Sequence, residues 1–152
     1  MSSLFDVATH PWHLVARFVT SLPPTPPSVE GEVWADEHLL PGERALWTRL
    51  SNQDRRHSIA VAQRFEDVVA GASRAQIAGA LLHDIGKVEC ELGTIGRVVA
   101  TLLGPRTDAF RVYHEHEEIG ARLVTECGSD PATIELVAES GPLYEQLKAC
   151  DY

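Results

Sequence analysis

Between Asn52 and Ala70 apolar residues return every three or four positions, at Ala60, Val61, Phe65, Val68 and Val69, which predicts a helix with one face turned to a core. Ser51 precedes it as an N-cap and Gly71 follows it as a stop. His57 stands one turn before Val61 on the same stripe, so the pattern points a histidine inward. The next helix starts after Ser73. Its Ile77, Ala78, Leu81, Leu82 and Ile85 leave almost no polar face, which makes it central, and it closes on His83, Asp84 and Gly86. Over 109–127, Val112, His116, Ile119, Gly120 and Leu123 share a face, and His114 falls on nearly the opposite side. Asp130-Pro131 opens a helix through Ser140, with Ile134, Val137 and Ala138 inward. After the Gly141-Pro142 break a last helix carries Leu143, Leu147 and Cys150, and places Asp151 on that stripe.

The rest of the chain is less regular. His10-Pro11-Trp12 opens a short helix to Leu22, and the four prolines that follow, up to Pro27, forbid helix and favour an extended connector. A helical pattern resumes at Val33, and Pro41-Gly42-Glu43 starts a short helix presenting Leu46, Trp47 and Leu50. An apolar run over 98–103, closed by Gly104-Pro105, predicts one more helix. With no strand pattern and no repeat, the expected fold class is all-α, a bundle of about six or seven helices. Residues 1–50 read as a helical arm and Pro-rich connector packed on a core over 51–152, together one compact domain.

Composition narrows the function classes. A chain of 152 residues, 44% hydrophobic and 23% charged, buries a sizeable core without staples. No apolar run is long enough to span a bilayer, and the first residues lack a basic stretch followed by an apolar one, so the cytoplasm is the expected compartment and no membrane partner is expected. Cys90, Cys127 and Cys150 are widely spaced, without a C-x-x-C pair, and read as reduced thiols. A net charge of −9 repels phosphate backbones, and no basic cluster with interleaved aromatics opposes it, which argues against nucleic acid. A small phosphorylated substrate drawn to a local cation is compatible with that charge. Trp12, Trp34 and Trp47 serve either core packing or a partner surface such as a homodimer interface.

Four helices thus each turn a histidine or aspartate inward: His57, the pair His83 and Asp84, His116, and Asp151. A buried carboxylate requires a metal, an ion pair or a proton. Imidazole and carboxylate without thiolate suit a roughly octahedral site for manganese, iron, cobalt, magnesium or nickel better than a structural zinc. The alternatives are plain packing roles: a hydrogen-bonded core histidine for His116, a salt bridge or helix-end position for Asp151, and helix-end solvation for Arg55, Arg56 and Lys87. His10, His13, His38 and His114 are expected at the surface.

These residues resemble the H…HD…D signature of the HD superfamily of metal-dependent phosphohydrolases, and His83-Asp84-Ile85-Gly86-Lys87 is similar to its HDIGK variant. The resemblance covers roughly 51–152. It implies a divalent metal held by His57, His83, Asp84 and Asp151, with Asp84 orienting or deprotonating the attacking water, and Lys87 and Arg56 reaching a substrate phosphate. The implied reaction is hydrolysis of a phosphate ester, of a nucleotide or related phosphometabolite. His116-Glu-Glu-Ile-Gly-Ala121 is similar to the H-x-x-I-G-A segment of two-metal members. Those members usually carry a further histidine where this chain reads Ala138-Glu139-Ser140, a departure that implies one tightly held metal, with His116, Glu139, Ser140 or His114 as accessory groups. Two other outcomes within reach of the resemblance are an oxygenase with two irons and a metal-binding sensor without turnover.

Overall fold

A computed structural model describes residues 25–89 and 116–152. Among the described residues the chain is all-α, as expected, with seven α-helices, one 3-10 turn and no strand. In chain order these are α1 (Val29–His38), α2 (Pro41–Trp47), α3 (Asn52–Val68), α4 (Arg74–Leu81), the 3-10 turn (Ile85–Glu89), α5 (His116–Glu126), α6 (Pro131–Val137) and α7 (Tyr144–Cys150). The helices expected over 10–22 and 98–103, the part of the 109–127 helix before 116, and His10, Trp12, His13, Cys90 and His114 lie outside the described residues.

Local chemistry sets the starts. Ser51 Oγ accepts the Asp54 N–H at 3.1 Å to begin α3. At α4, Ser73 Oγ accepts from Gln76 N at 3.1 Å while Gln76 Oε1 accepts from Ser73 N at 2.9 Å, a reciprocal capping box. α1 begins at Val29 rather than Val33, because Ser28 Oγ accepts from Gly31 N at 3.0 Å and Glu30 and Glu32 suit a first turn.

α4 lies at the centre, packed against α3, α6 and α1, with Ile77, Ala78, Ala80 and Leu81 buried. α5 packs on the 3-10 turn and on α6, and α7 packs on α3. Three sequence expectations need correction. The buried side of α3 is Ser58, Ile59, Val61, Ala62 and Phe65, and Val68 is 61% exposed while the next residue, Val69, packs against the core. α6 buries Thr133, Leu136 and Val137 and stops at Val137 rather than Ser140. His38 is half-buried rather than at the surface, with Nδ1 2.7 Å from the Trp34 carbonyl. Trp47 is buried, and its Nε1–H donates to Glu32 Oε2 at 2.9 Å, so it packs inside and offers nothing to a partner.

The carboxylate of Glu43 on α2 is fully buried and saturated. It accepts from Leu40 N at 2.8 Å, Arg74 Nη1 of α4 at 3.2 Å and Ser129 Oγ, before α6, at 2.8 Å. It ties residues before Ser51 to the centre of the bundle.

α6 ends in a Schellman turn, with Ser140 N donating to Glu135 O at 3.0 Å and Glu139 N to Leu136 O at 3.1 Å. The left-handed position of that turn is held by Glu139, at φ 57, where glycine would normally stand. Glu139→Gly should therefore raise stability, by about 1 kcal/mol in a denaturant titration. An unchanged midpoint would mean that contacts of the Glu139 side chain offset the backbone strain.

Candidate metal centre

Each group reaches the centre from a different element. His57 sits in the second turn of α3, on the side that faces α7. Asp151 does not extend the α7 stripe, as the sequence suggested; the helix ends at Cys150 and Asp151 stands in the turn beyond it. Its backbone, at φ −88 and ψ 75, forms an inverse γ-turn closed by Tyr152 N donating to Cys150 O at 3.2 Å. The turn aims the carboxylate at α3, where His57 Nε2 lies 2.7 Å from Asp151 Oδ1. Cys150 is buried, and burial pushes its thiol up, so it adds no thiolate to the donor set.

The doublet is also placed by a helix end. α4 stops at Leu81, short of the His83, Asp84 and Gly86 end that the pattern predicted. Ile85 N bonds to Leu82 O at 2.9 Å and Lys87 N to Asp84 O at 3.1 Å, so the chain tightens into 3-10 geometry and His83 and Asp84 sit at the joint. His83 Nδ1 lies 2.7 Å from the Ala80 carbonyl, which only an N–H can approach so closely, so Nδ1 carries a proton and Nε2 points away from α4.

Nε2 of His83 is buried and has no hydrogen-bond partner among the described residues. It lies 3.5 Å from Asp84 Oδ2 and 3.8 Å from Asp151 Oδ1, close to two carboxylates and bonded to neither. Burial alone would push this imidazole down, but Asp84 and Asp151 outweigh it and raise it from 6.5 to about 9. The position therefore favours a positive charge, met by a proton or by a cation. Burial likewise pushes Asp84 up, yet Lys87, His83 and His116 together hold it well below the usual carboxylate range. Lys87 Nζ is 2.7 Å from Asp84 Oδ2, and His116 Nε2 is 3.6 Å from Asp84 Oδ1 on the other side.

His116 arrives there through a glycine contact. A Cβ built on Gly86 would stand 1.7 Å from the His116 carbonyl oxygen and 2.9 Å from Gly120 N. Only a missing side chain lets the 3-10 turn and the first turn of α5 approach this closely.

Donor atoms of His57, His83 and Asp151 lie within 4.8 Å of one another. Asp84 adjoins this trio through His83 and is already paired with Lys87, so the four ligands expected from the sequence divide into a close trio and a neighbouring carboxylate. His116 joins them beyond Asp84. Of the remaining candidates, Glu139 is exposed, and Arg56 donates to Thr25 Oγ1. Burial and then the carboxylates of Glu139, Glu145 and Asp151 push Tyr144 up to about 12, which keeps it a donor. The Lys87 to Asp84 pair was readable as an i, i+3 spacing. Tyr144 gave no such signal.

The donor set fits a divalent cation: two imidazoles and a carboxylate converge, one imidazole nitrogen is buried without a hydrogen-bond partner among the described residues, and Nδ1 of that ring is already bonded to a carbonyl, as metal-bound histidines usually are. No helix among the described residues is long and apolar enough to cross a membrane. No family model, curated protein or solved structure matches the chain.

Proposed function

We propose that this chain is a metal-dependent phosphohydrolase of the HD type, acting on a nucleotide or related small phosphorylated metabolite. The observation that carries the reading is the unpartnered Nε2 of His83, buried between Asp84 and Asp151 and close to His57. His57, His83 and Asp151 would hold a divalent cation, with Asp84 as the adjoining carboxylate. Such a cation, when bound, supplies Lewis-acid polarisation of a phosphoryl oxygen and a water of lowered pKa. Asp84, kept ionised by Lys87, His83 and His116, is too weak a base to hold a proton for long, so its role is to accept a hydrogen bond from the attacking water and orient it. Lys87, anchored on Asp84, offsets negative charge developing on the phosphoryl oxygens. His116, next to the other oxygen of Asp84, is the accessory group on that side.

The test is a chelator-stripped protein reloaded with manganese, iron, cobalt, magnesium or nickel and screened for phosphate release over nucleotides and simple phosphoesters. Metal-dependent release supports the reading. Tight metal binding without release from any phosphoester would replace it with a metal-binding protein lacking this turnover.

Proton and cation compete for His83. Its protonation stabilises the metal-free fold fully below 6.5, and this contribution is lost as pH rises through about 9. A cation displaces that proton, so metal affinity should rise about tenfold per pH unit within this window. The difference in Tm between loaded and stripped protein should widen from 6.5 to 9. A constant difference would show that Nε2 of His83 takes no part in binding.

A further inference from the structure

Asp151 reaches the centre from a turn rather than from a helix, and a turn needs something to fix it. Its own bonds, Tyr152 N to Cys150 O and Asp151 N to Lys148 O, both at 3.2 Å, tie it only to the last turn of α7 and make no link to the helix that carries His57. The fixing contact comes from α3. Arg64 follows His57 by seven residues, two helical turns, which puts both side chains on the same face of α3. Arg64 Nε donates to the Cys150 carbonyl at 3.0 Å and Nη2 to the Tyr152 carbonyl at 3.2 Å. Those two carbonyls flank Asp151, and the guanidinium also lies 4.2 Å from the centre of the Tyr152 ring. One planar group thus grips the peptide on both sides of the aspartate, through a fork that lysine cannot reproduce.

We propose that Arg64 is a positioning residue for the metal centre, locking the Asp151 turn so that the carboxylate meets His57. The inference rests on the metal reading above and adds a residue that touches neither cation nor substrate. His57 and its aspartate partner are far apart in sequence, at a separation of 94 positions, yet the residue that aligns them stands on the same helix as His57. The register between the two ligands is therefore set by a single rigid element, α3, and the α7 end is held to it at two carbonyls.

The experiment is a titration of chelator-stripped protein with Mn(II), followed by the loss of free-ion paramagnetic resonance signal, for the wild type, Arg64→Ala, Arg64→Met and Arg64→Lys. Circular dichroism and the Tm of each stripped protein are recorded alongside. Arg64→Ala and Arg64→Met should weaken Mn(II) binding about tenfold or more, the usual effect of removing a group that orients a ligand. Arg64→Lys, which keeps the charge and one donor, should recover part of that loss. The stripped proteins should keep wild-type helicity; Arg64→Met, which retains the apolar stem, serves if Arg64→Ala does not fold. Wild-type Mn(II) affinity in a folded Arg64→Met or Arg64→Ala overturns the positioning role, whatever happens to Tm. A wild-type protein that binds no Mn(II) or other divalent ion overturns the metal reading itself, and the clamp with it.

Discussion

Asp151→Ala should leave a folded protein that no longer retains its cation. The substitution removes an oxygen donor and a negative charge together, while Leu147 and Cys150 still bury α7 against the core. The contact with His57 is partly exposed, so its loss from the metal-free protein is a small effect. Metal affinity is where the change is read. A cation at a hundred times its Kd stabilises the wild-type fold by about 2.7 kcal/mol, which is worth about 5–10 °C in Tm for a chain of this size. That increment should vanish in Asp151→Ala, and Asp151→Asn should do nearly as much harm, since it keeps the shape and loses the charge. Calorimetry of loaded and stripped samples, with metal content measured after dialysis, decides it. An alanine variant with full occupancy and the wild-type increment would remove Asp151 from the ligand set.

Gly86→Ala should damage the other half of the centre and the fold together. The new methyl would meet backbone, the His116 carbonyl at 1.7 Å, and backbone cannot rotate aside as a side chain can. The 3-10 turn and α5 must separate, at a cost of about 3 kcal/mol or more. Separation carries Lys87 and Asp84 away from His116, so the phosphoester turnover proposed above should fall even in protein that remains folded. Gly120, on the facing side of the same contact, is the comparison. A Cβ there would stand 3.0 Å from a Val137 methyl and 3.2 Å from Gly86 N, close but not overlapping. Gly120→Ala should be the milder variant by denaturant titration. The reverse order would mean that the close approach of these two backbones is not what places His116.

Much of this was legible in the sequence because its cues are local. Ser51, Ser73 and Asp130-Pro131 announce helix starts through bonds or ring geometry confined to the next few residues. Inward groups on helices, His57 and His116, could be read from their spacing to Val61 and Gly120. What the periodicity missed lies where helices stop. The doublet sits at a change from α to 3-10 geometry, and Asp151 lies in a turn just past Cys150, so helical spacing singled out residues that do come together, but through a geometry it did not predict. The Arg64 clamp was beyond reach for a different reason. Its partners are backbone carbonyls more than eighty residues away, and a carbonyl leaves no trace in a sequence. Val68 shows the converse failure: it was placed on the stripe, yet it is exposed while its neighbour Val69 packs against the core.

The buried carboxylate of Glu43 bears on how the molecule breathes. A helix that merely lay on the surface could detach alone and exchange its amide protons while the bundle stayed closed. α2 is less free to do so, because lifting it takes the Glu43 carboxylate from Ser129 before α6 and from Arg74 in α4, which then keeps only its other partners, Asp130 among them. Its opening is coupled to that of the central helix. Residues 25–50 are in this sense part of the same cooperative unit as the candidate metal centre, and the amides of α2 report on the integrity of the whole.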